Sequence, residues 1–351
     1  MLQDNLERFL RENRGQPLWS RLIGEFGLGT LLPRPGAEPL HVEHGLVMEA
    51  FGRHLVREPF LEGLVVAGQL LAGSADERAA ALAERTAQGA ALPVLAWAEP
   101  GMRYDFAGIG LGARVRGAGW VLNGRKCMVA GAGQASHFLL AARTSGAPGE
   151  ARGLSLFVLE RGAPGLSVEP YYRLDGGDVA DLVLHDVPVQ ACDLLGEEGG
   201  LLERLEWVRD CAIAALCAEA RGALAEMLEQ TQGYLGERRQ FGRRLSDFQV
   251  LQHRLVDMYL HLLKAGSASR LAMRSLEDSL KRATAVSAAK VVVADACRFI
   301  GQSAVQCHGG MGMCDEVAVS RYFKRVTLIE REFGGRDFHL GRYNALYRCP
   351  P

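Results

Sequence analysis

The chain has 351 residues, 48% of them apolar and 23% charged, and a formal net charge of −1, which is a globular composition with no basic excess for nucleic acid to use. No apolar run reaches the roughly 20 residues needed to span a bilayer. The start, MLQDNLERFLREN, lacks the basic head and apolar core of a signal peptide, so the expected location is cytoplasmic.

Residues 1–92 are rich in Leu, Ala, Glu and Arg, and LERFLREN and ERAAALAERTA carry apolar residues at helical spacing. LLPRPGAEP breaks them as a loop. From 93 to 198 short apolar runs alternate with turn signals: PVLAWAEPG, GARVRGAGWVLNGRK, SHFLLAART, GLSLFVLERGAPG and ADLVLHDVPV. Val-Leu-Asn-Gly and Arg-Gly-Ala-Pro-Gly read as turn chemistry. No helix-length crossover separates these runs, so an antiparallel β domain is expected rather than a parallel nucleotide-binding sheet. From 199 to 351 three long segments repeat apolar residues every three or four positions, the pattern of a four-helix-type bundle. Some of its faces are too apolar for solvent and suggest burial against another subunit. The predicted fold class is therefore α+β and multidomain: an N-terminal helical domain, a middle antiparallel β domain and a C-terminal bundle.

The eight cysteines form no CxxC pair and no Cys/His cluster with zinc spacing, so they are expected to be reduced, and no metal site is expected. His308-Gly309-Gly310-Met311-Gly312 has the look of a hydrolase oxyanion loop, but no GxSxG supplies a nucleophile. It is not a dinucleotide fingerprint either, because no βαβ unit surrounds it. Its glycines allow backbone amides to approach a phosphate or ribose, or simply cap a helix, and His308 reads as packed or capping. In Arg238-Arg239-Gln240-Phe241-Gly242 a guanidinium suits a pyrophosphate and the ring suits a planar ligand; a solvated basic helix end is the alternative.

Taken together, Trp97-Ala98-Glu99-Pro100-Gly101, Asn123-Gly124-Arg125-Lys126, Asp186-Val187-Pro188-Val189, the Arg238–Gly242 and Phe248-Gln249 segments and Gln306–Gly312 stand in the order of the acyl-CoA dehydrogenase family, which the chain resembles over nearly its whole length. The resemblance implies FAD as cofactor and an acyl-CoA as substrate, with loss of the Cα proton and transfer of the Cβ hydride to flavin N5. It implies an electron-accepting flavoprotein and a second copy or homologous subunit as partners, and a role in fatty acid or lipid metabolism. The positions it implies for cofactor contact are Ala98, Met128, Ala130, Arg238, Gln240, Phe241, Leu245, Phe248, Gln306, Cys307, Gly310 and Asp337. Ala98 and Ala130 stand where the family carries hydroxyls and Met128 where it carries Trp or Phe, a pattern similar to members acting on steroid or other bulky acyl-CoAs.

The family's general base is a Glu after the Gly-Gly loop, and a gapless count from Gln306 places Phe333 there, with Glu332 just before it. The alternative base position on the first bundle helix falls on Ala212, with Glu206 and Glu219 near it in sequence. The candidate bases are Glu332 and Glu219. A chain without a base would instead be the non-catalytic partner subunit of a heteromeric acyl-CoA dehydrogenase. A third reading is a dehydrogenase of acyl groups on a carrier protein.

Overall fold

Helix formation at the N-terminus follows the apolar spacing: α1 (Leu2–Glu12) buries Leu6 and Leu10, one turn apart. The computed structural model describes residues 2–13, 18–74 and 76–348, so Cys349 lies outside the described residues. After α1 come α2 (Trp19–Gly24), α3 (His41–His54), a π-helical stretch (Leu61–Ala67) running into α4 (Gly68–Ala72), and α5 (Glu77–Ala87). Asp76 caps α5 by accepting the Ala79 N–H at 2.7 Å.

The strands are β1 (Pro93–Ala96), β2 (Gly112–Arg116), β3 (Gly119–Ala130), β4 (His137–Arg143), β5 (Leu154–Glu160), β6 (Leu166–Tyr172), β7 (Asp178–Gln190) and β8 (Leu194–Leu195). They form one sheet in the order β6-β7-β3-β2-β4-β5-β8, with β1 beside β4. Most neighbours are antiparallel, as expected; β1–β4 and the single β2–β4 contact are parallel, which makes the sheet mixed. The strands surround an apolar cluster that includes Phe138, Leu140, Phe157, Leu122 and Leu182. Asn123-Gly124 does not turn the chain. It lies inside β3, where Asn123 exchanges hydrogen bonds with Asp186 of β7 across an irregularity in the ladder. Asp186 there adopts φ 50°, which Asp tolerates. The reversal between β2 and β3 falls on Gly117, at φ 63°.

The helices that follow are α6 (Leu201–Glu237), α7 (Gln249–Arg274), α8 (Arg282–His308), α9 (Ala318–Ile329) and α10 (Arg336–Arg348). Residues 208–220 of α6 are buried on every face, as in a core helix. Between α6 and α7 a two-stranded hairpin, β9 (Arg239–Gln240) and β10 (Arg243–Arg244), reverses through Phe241 and Gly242.

The chain divides into two compact units. One contains residues 15–40 and 58–212, hence the sheet with α2, α4 and α5; the other contains residues 1–14, 41–57 and 213–351, hence α1, α3 and the helical bundle. Within the helical unit α8 packs on α7, α9 and α10, and α1 on α3. Close approach of α3 to α6 rests on glycine: a Cβ at Gly52 would overlap the Glu219 carbonyl, and one at Gly222 the Glu49 carbonyl. Among the described residues no helix is long and apolar enough to cross a membrane. The seven described cysteines are free thiols, and no His, Cys, Asp and Glu cluster suited to a metal occurs among the described residues.

Candidate functional site

In the sheet unit the quoted segments around residues 97–101 and 123–130 meet through a buried ion pair. Lys126, wholly buried, donates from Nζ to Glu99 Oε1 at 2.6 Å and to the Trp97 carbonyl at 3.1 Å. Glu99 also accepts the Gly110 and Leu111 N–H groups at 2.9 and 3.0 Å. Burial pushes the Lys126 ammonium down to about 8, against the attraction of Glu99. The Cys127 N–H donates to the Ala98 carbonyl at 2.8 Å, so Ala98 is tied by its backbone to the strand that carries Met128 and Ala130. Ala98 and Ala130 are half-buried, while the Met128 side chain is 61% exposed.

In the helical unit Arg238 follows the last residue of α6, and its carbonyl accepts the Leu245 N–H at 2.9 Å, closing the hairpin. Phe241 at φ 54° and Gly242 at φ 80° form a two-residue turn with both residues left-handed, which suits a twisted hairpin and projects Phe241 outward, 89% exposed. Phe241 meets Phe248 edge-on at 6.2 Å, and the Arg243 guanidinium stacks 3.8 Å from the Phe248 ring centre. Gln240 donates to the neighbouring Arg239 carbonyl at 2.8 Å.

The C-terminal end of α8 lies beside the C-terminal part of α6. Tyr234 stacks on His308 at 4.4 Å, and His308 Nδ1 donates to the Ala304 carbonyl at 2.9 Å, so this histidine is packed as expected. Gly309 adopts φ 60° and closes α8. An added Cβ at Gly309 or Gly310 would meet nothing within 4 Å, so the turn is open on its outer side. Gln306 is exposed and Cys307 buried, its thiol pushed up by burial. Asp337, at the start of α10, is 97% exposed, and the Arg336 guanidinium approaches its carboxylate at 3.5 Å. The helical unit thus gathers Arg238, Gln240, Phe241, Leu245 and Phe248 in one hairpin segment, with Gln306, Cys307 and Gly310 at the end of α8. Asp337 belongs to a different helix start.

The two candidate bases share a partner. Arg325 of α9 grips Glu219 of α6 at 2.5 and 2.7 Å and reaches Glu332 at 3.0 Å. The Glu219 side chain is buried, at 6% exposed, and Arg325 is largely covered, at 13%; Glu332 is more open, at 20%. Lys290 of α8, wholly buried, donates to the Ile329 carbonyl at the end of α9, and burial lowers its pKa. Nearby, burial pushes the Cys217 and Cys297 thiols up to about 11 and about 12. Phe333 follows at φ 54°, an outlying conformation for a bulky residue. Its carbonyl accepts from His339 Nε2 at 3.1 Å, and the other ring nitrogen faces Ser287 Oγ at 3.4 Å, which fixes the tautomer with the proton on Nε2.

Arg325 was not singled out by sequence reasoning. Glu332 lies in the turn beyond the end of α9, so no helical spacing links it to Arg325, and the grip on Glu219 spans 106 positions and leaves no local signal. Lys126 and Glu99 both stand inside quoted motifs, yet only the fold pairs them.

Family models match the chain twice: the acyl-CoA dehydrogenase middle domain over residues 94–187 and the acyl-CoA dehydrogenase C-terminal domain over residues 203–342. The chain belongs to the acyl-CoA dehydrogenase family. The acryloyl-CoA reductase (NADH) of Anaerotignum propionicum is 31% identical over 63% of this chain, which spans 56% of that relative's length. The mitochondrial isovaleryl-CoA dehydrogenase of Pongo abelii is 25% identical over 89% of this chain and 76% of its own length. Among solved structures, a variant of the steroid ACAD Tcur3481-Tcur3483 superposes with a TM-score of 0.84 at 28% identity, over 99% of this chain and 96% of that one. Acyl-CoA dehydrogenase relatives thus include oxidoreductases that act on acyl-CoA in either named direction.

Proposed function

We propose that the chain holds FAD and oxidises the Cα–Cβ bond of an acyl-CoA thioester to a double bond, the Cα proton passing to a base and the Cβ hydride to the flavin. The observation that carries this reading is the end of the helical unit where the Arg238–Phe248 hairpin exposes a guanidinium and an aromatic ring beside the open Gly309-Gly310 turn. These groups fit a dinucleotide: Arg238 suits a pyrophosphate, Phe241 a planar ring, and the glycine turn admits close backbone approach. In the sheet unit, taken by itself, Ala98, Met128 and Ala130 offer backbone groups and a thioether to a flavin ring, without hydroxyls, while the helical-unit groups would serve the cofactor of a second copy. Bound FAD supplies the hydride acceptor. The residues of the chain bind it, orient the thioester and exclude water.

On α7, Val256, Tyr259, Leu260 and Leu263 are about half exposed at i, i+3, i+4 and i+7, which supports burial of this face by a second copy or a homologous subunit. The chemistry requires an electron acceptor to reoxidise the cofactor, and an electron-accepting flavoprotein is the partner proposed for that step.

A second reading is favoured by the Arg325 cluster. Phe333 occupies the position aligned with the base, and Glu219 and Glu332 are both engaged by one guanidinium. Such a chain would be a partner subunit that completes a flavin site while another chain supplies the base. The steroid ACAD whose name joins two designations, Tcur3481 and Tcur3483, is consistent with it. Exchange of the Cα proton of a bound acyl-CoA with deuterium separates the readings. Exchange by the purified chain, abolished in Glu332→Gln with FAD retained, supports the enzyme with Glu332 as base. Loss in Glu219→Gln alone moves the base to α6. No exchange by the wild type with any acyl-CoA, and exchange only in the presence of a homologous subunit, supports the partner reading.

A further inference from the structure

Strand β3 bulges at the point where its side chains leave the ladder. Lys126 pairs with Leu182 and Val129 with Ala180, so Cys127 and Met128 of β3 stand opposite the single residue Asp181 of β7. Two residues against one is a β-bulge, a device that re-aims a side chain and recurs beside functional sites. Met128, at φ 55°, takes a conformation that an unbranched bulky residue seldom adopts, and its side chain points outward, 61% exposed.

Two other strands, β7 and β6, hold this conformation. The Met128 N–H is shared between Asp181 Oδ1 at 3.0 Å and the Tyr171 hydroxyl oxygen at 3.2 Å. Tyr171, on the edge strand β6, donates its own proton to the same Asp181 oxygen at 2.8 Å, closing a three-membered ring of hydrogen bonds. Arg125 secures the other Asp181 oxygen, from Nε at 3.1 Å and Nη2 at 2.8 Å, and reaches Glu169 at 2.8 Å. On the inner side Cys127 is tied to the Ala98 carbonyl and Lys126 to Glu99. Desolvation pushes the Tyr171 phenol up to about 12, helped by its bond to Asp181; Asp181, despite desolvation, is lowered by the Met128, Tyr171 and Arg125 donors. The carboxylate therefore stays an acceptor and the phenol a donor at any neutral pH.

We propose that Asp181 and Tyr171 are positioning residues: their joint hold on the Met128 amide fixes a ligand-facing bulge that presents the Met128 thioether and the Val129–Ala130 backbone to the flavin ring. This rests on the FAD reading above. The buried Lys126–Glu99 pair keeps the strand in place, and the exposed ring of hydrogen bonds sets the aim of one residue.

Three variants of the FAD-loaded protein test it: Tyr171→Phe, Asp181→Ala, and Glu169→Gln as the control, since Glu169 touches Arg125 but not Met128. Amide exchange at Met128 should rise about 3- to 10-fold in Tyr171→Phe, the worth of one neutral hydrogen bond, and more in Asp181→Ala. The FAD dissociation constant should rise in the same order and the visible flavin band should shift, with the far-ultraviolet circular dichroism of Tyr171→Phe and Glu169→Gln matching the wild type. Unchanged Met128 exchange in both test variants overturns the hold. Faster exchange with unchanged FAD affinity and spectrum overturns the link to the flavin while leaving the FAD reading intact. Equal effects in Glu169→Gln overturn the assignment to Tyr171 and Asp181. If the wild type takes up no FAD, alone or with a homologous subunit, the FAD reading falls with the link to the flavin, and Met128 exchange still decides the hold.

Discussion

Arg325→Met tests the cluster around the two candidate bases. The substitution removes two charge-assisted bonds to Glu219 and one to Glu332, and leaves the Glu219 carboxylate buried without its guanidinium. Breaking a buried pair by deleting one partner costs about 3–5 kcal/mol, because the remaining charge stays desolvated. The more open Glu332 contact adds no more than about 1 kcal/mol. A loss of about 4 kcal/mol, with a urea slope of about 3 kcal/mol per molar, lowers the unfolding midpoint of the helical signal by roughly 1.3 M. The cluster also predicts a rescue. Arg325→Met combined with Glu219→Met replaces the pair by apolar side chains of similar length, which in buried pairs is near neutral, so the double variant should lie within about 1 kcal/mol of the wild type. Urea titrations followed by far-ultraviolet circular dichroism read both. A single variant shifted by less than about 0.3 M, or a double variant whose losses add, would refute the view that Glu219 is a buried ion held by Arg325.

Lys126→Met should erase a pH dependence. In the folded chain the Lys126 ammonium is depressed to about 8 from its ordinary 10.5, so the folded state binds fewer protons than the unfolded state between those values. The burial penalty is complete below about pH 8 and is relieved as pH rises through the window, giving wild-type stability an upward contribution of about 3 kcal/mol by pH 10.5 relative to Lys126→Met. Melting both proteins from pH 7.5 to 10.5 checks it, and parallel curves would count against a desolvated Lys126. Arg238→Ala should weaken FAD retention about 10- to 100-fold by removing one charge-assisted contact. Full flavin occupancy of that variant after dialysis would displace Arg238 from the pyrophosphate.

The order of helices, sheet and bundle was legible because each region announces its period: Leu6 and Leu10 one turn apart in α1, alternating runs in the strands, and three long segments with three- and four-residue repeats. The mixed character of the sheet was not, since β1 reaches its parallel partner β4 only through long-range pairing. Asn123-Gly124 carried the local signature of a turn, but pairing with Asp186 across β7 kept it within a strand, a tertiary override of turn chemistry. At the candidate site, the Arg238–Phe248 and Gln306–Gly310 segments were visible as motifs because their glycines and arginines are contiguous. Arg325, Asp181 and Tyr171 were not, because each acts on a residue of another strand or helix and none carries a motif of its own. The gapless count placed Phe333 at the base position and Glu332 beside it; it could not reveal that Glu332 and Glu219 converge on one guanidinium.

The most direct measurement is the visible absorption spectrum of the purified full chain, taken with and without an acyl-CoA under anaerobic conditions. An acyl-CoA dehydrogenase that holds its own FAD should be yellow as isolated, with a flavin band that bleaches when a suitable acyl-CoA is added and returns with an oxidant. A chain that is colourless as isolated, stays so after incubation with FAD and gains no flavin when co-purified with a homologous subunit would contradict the account.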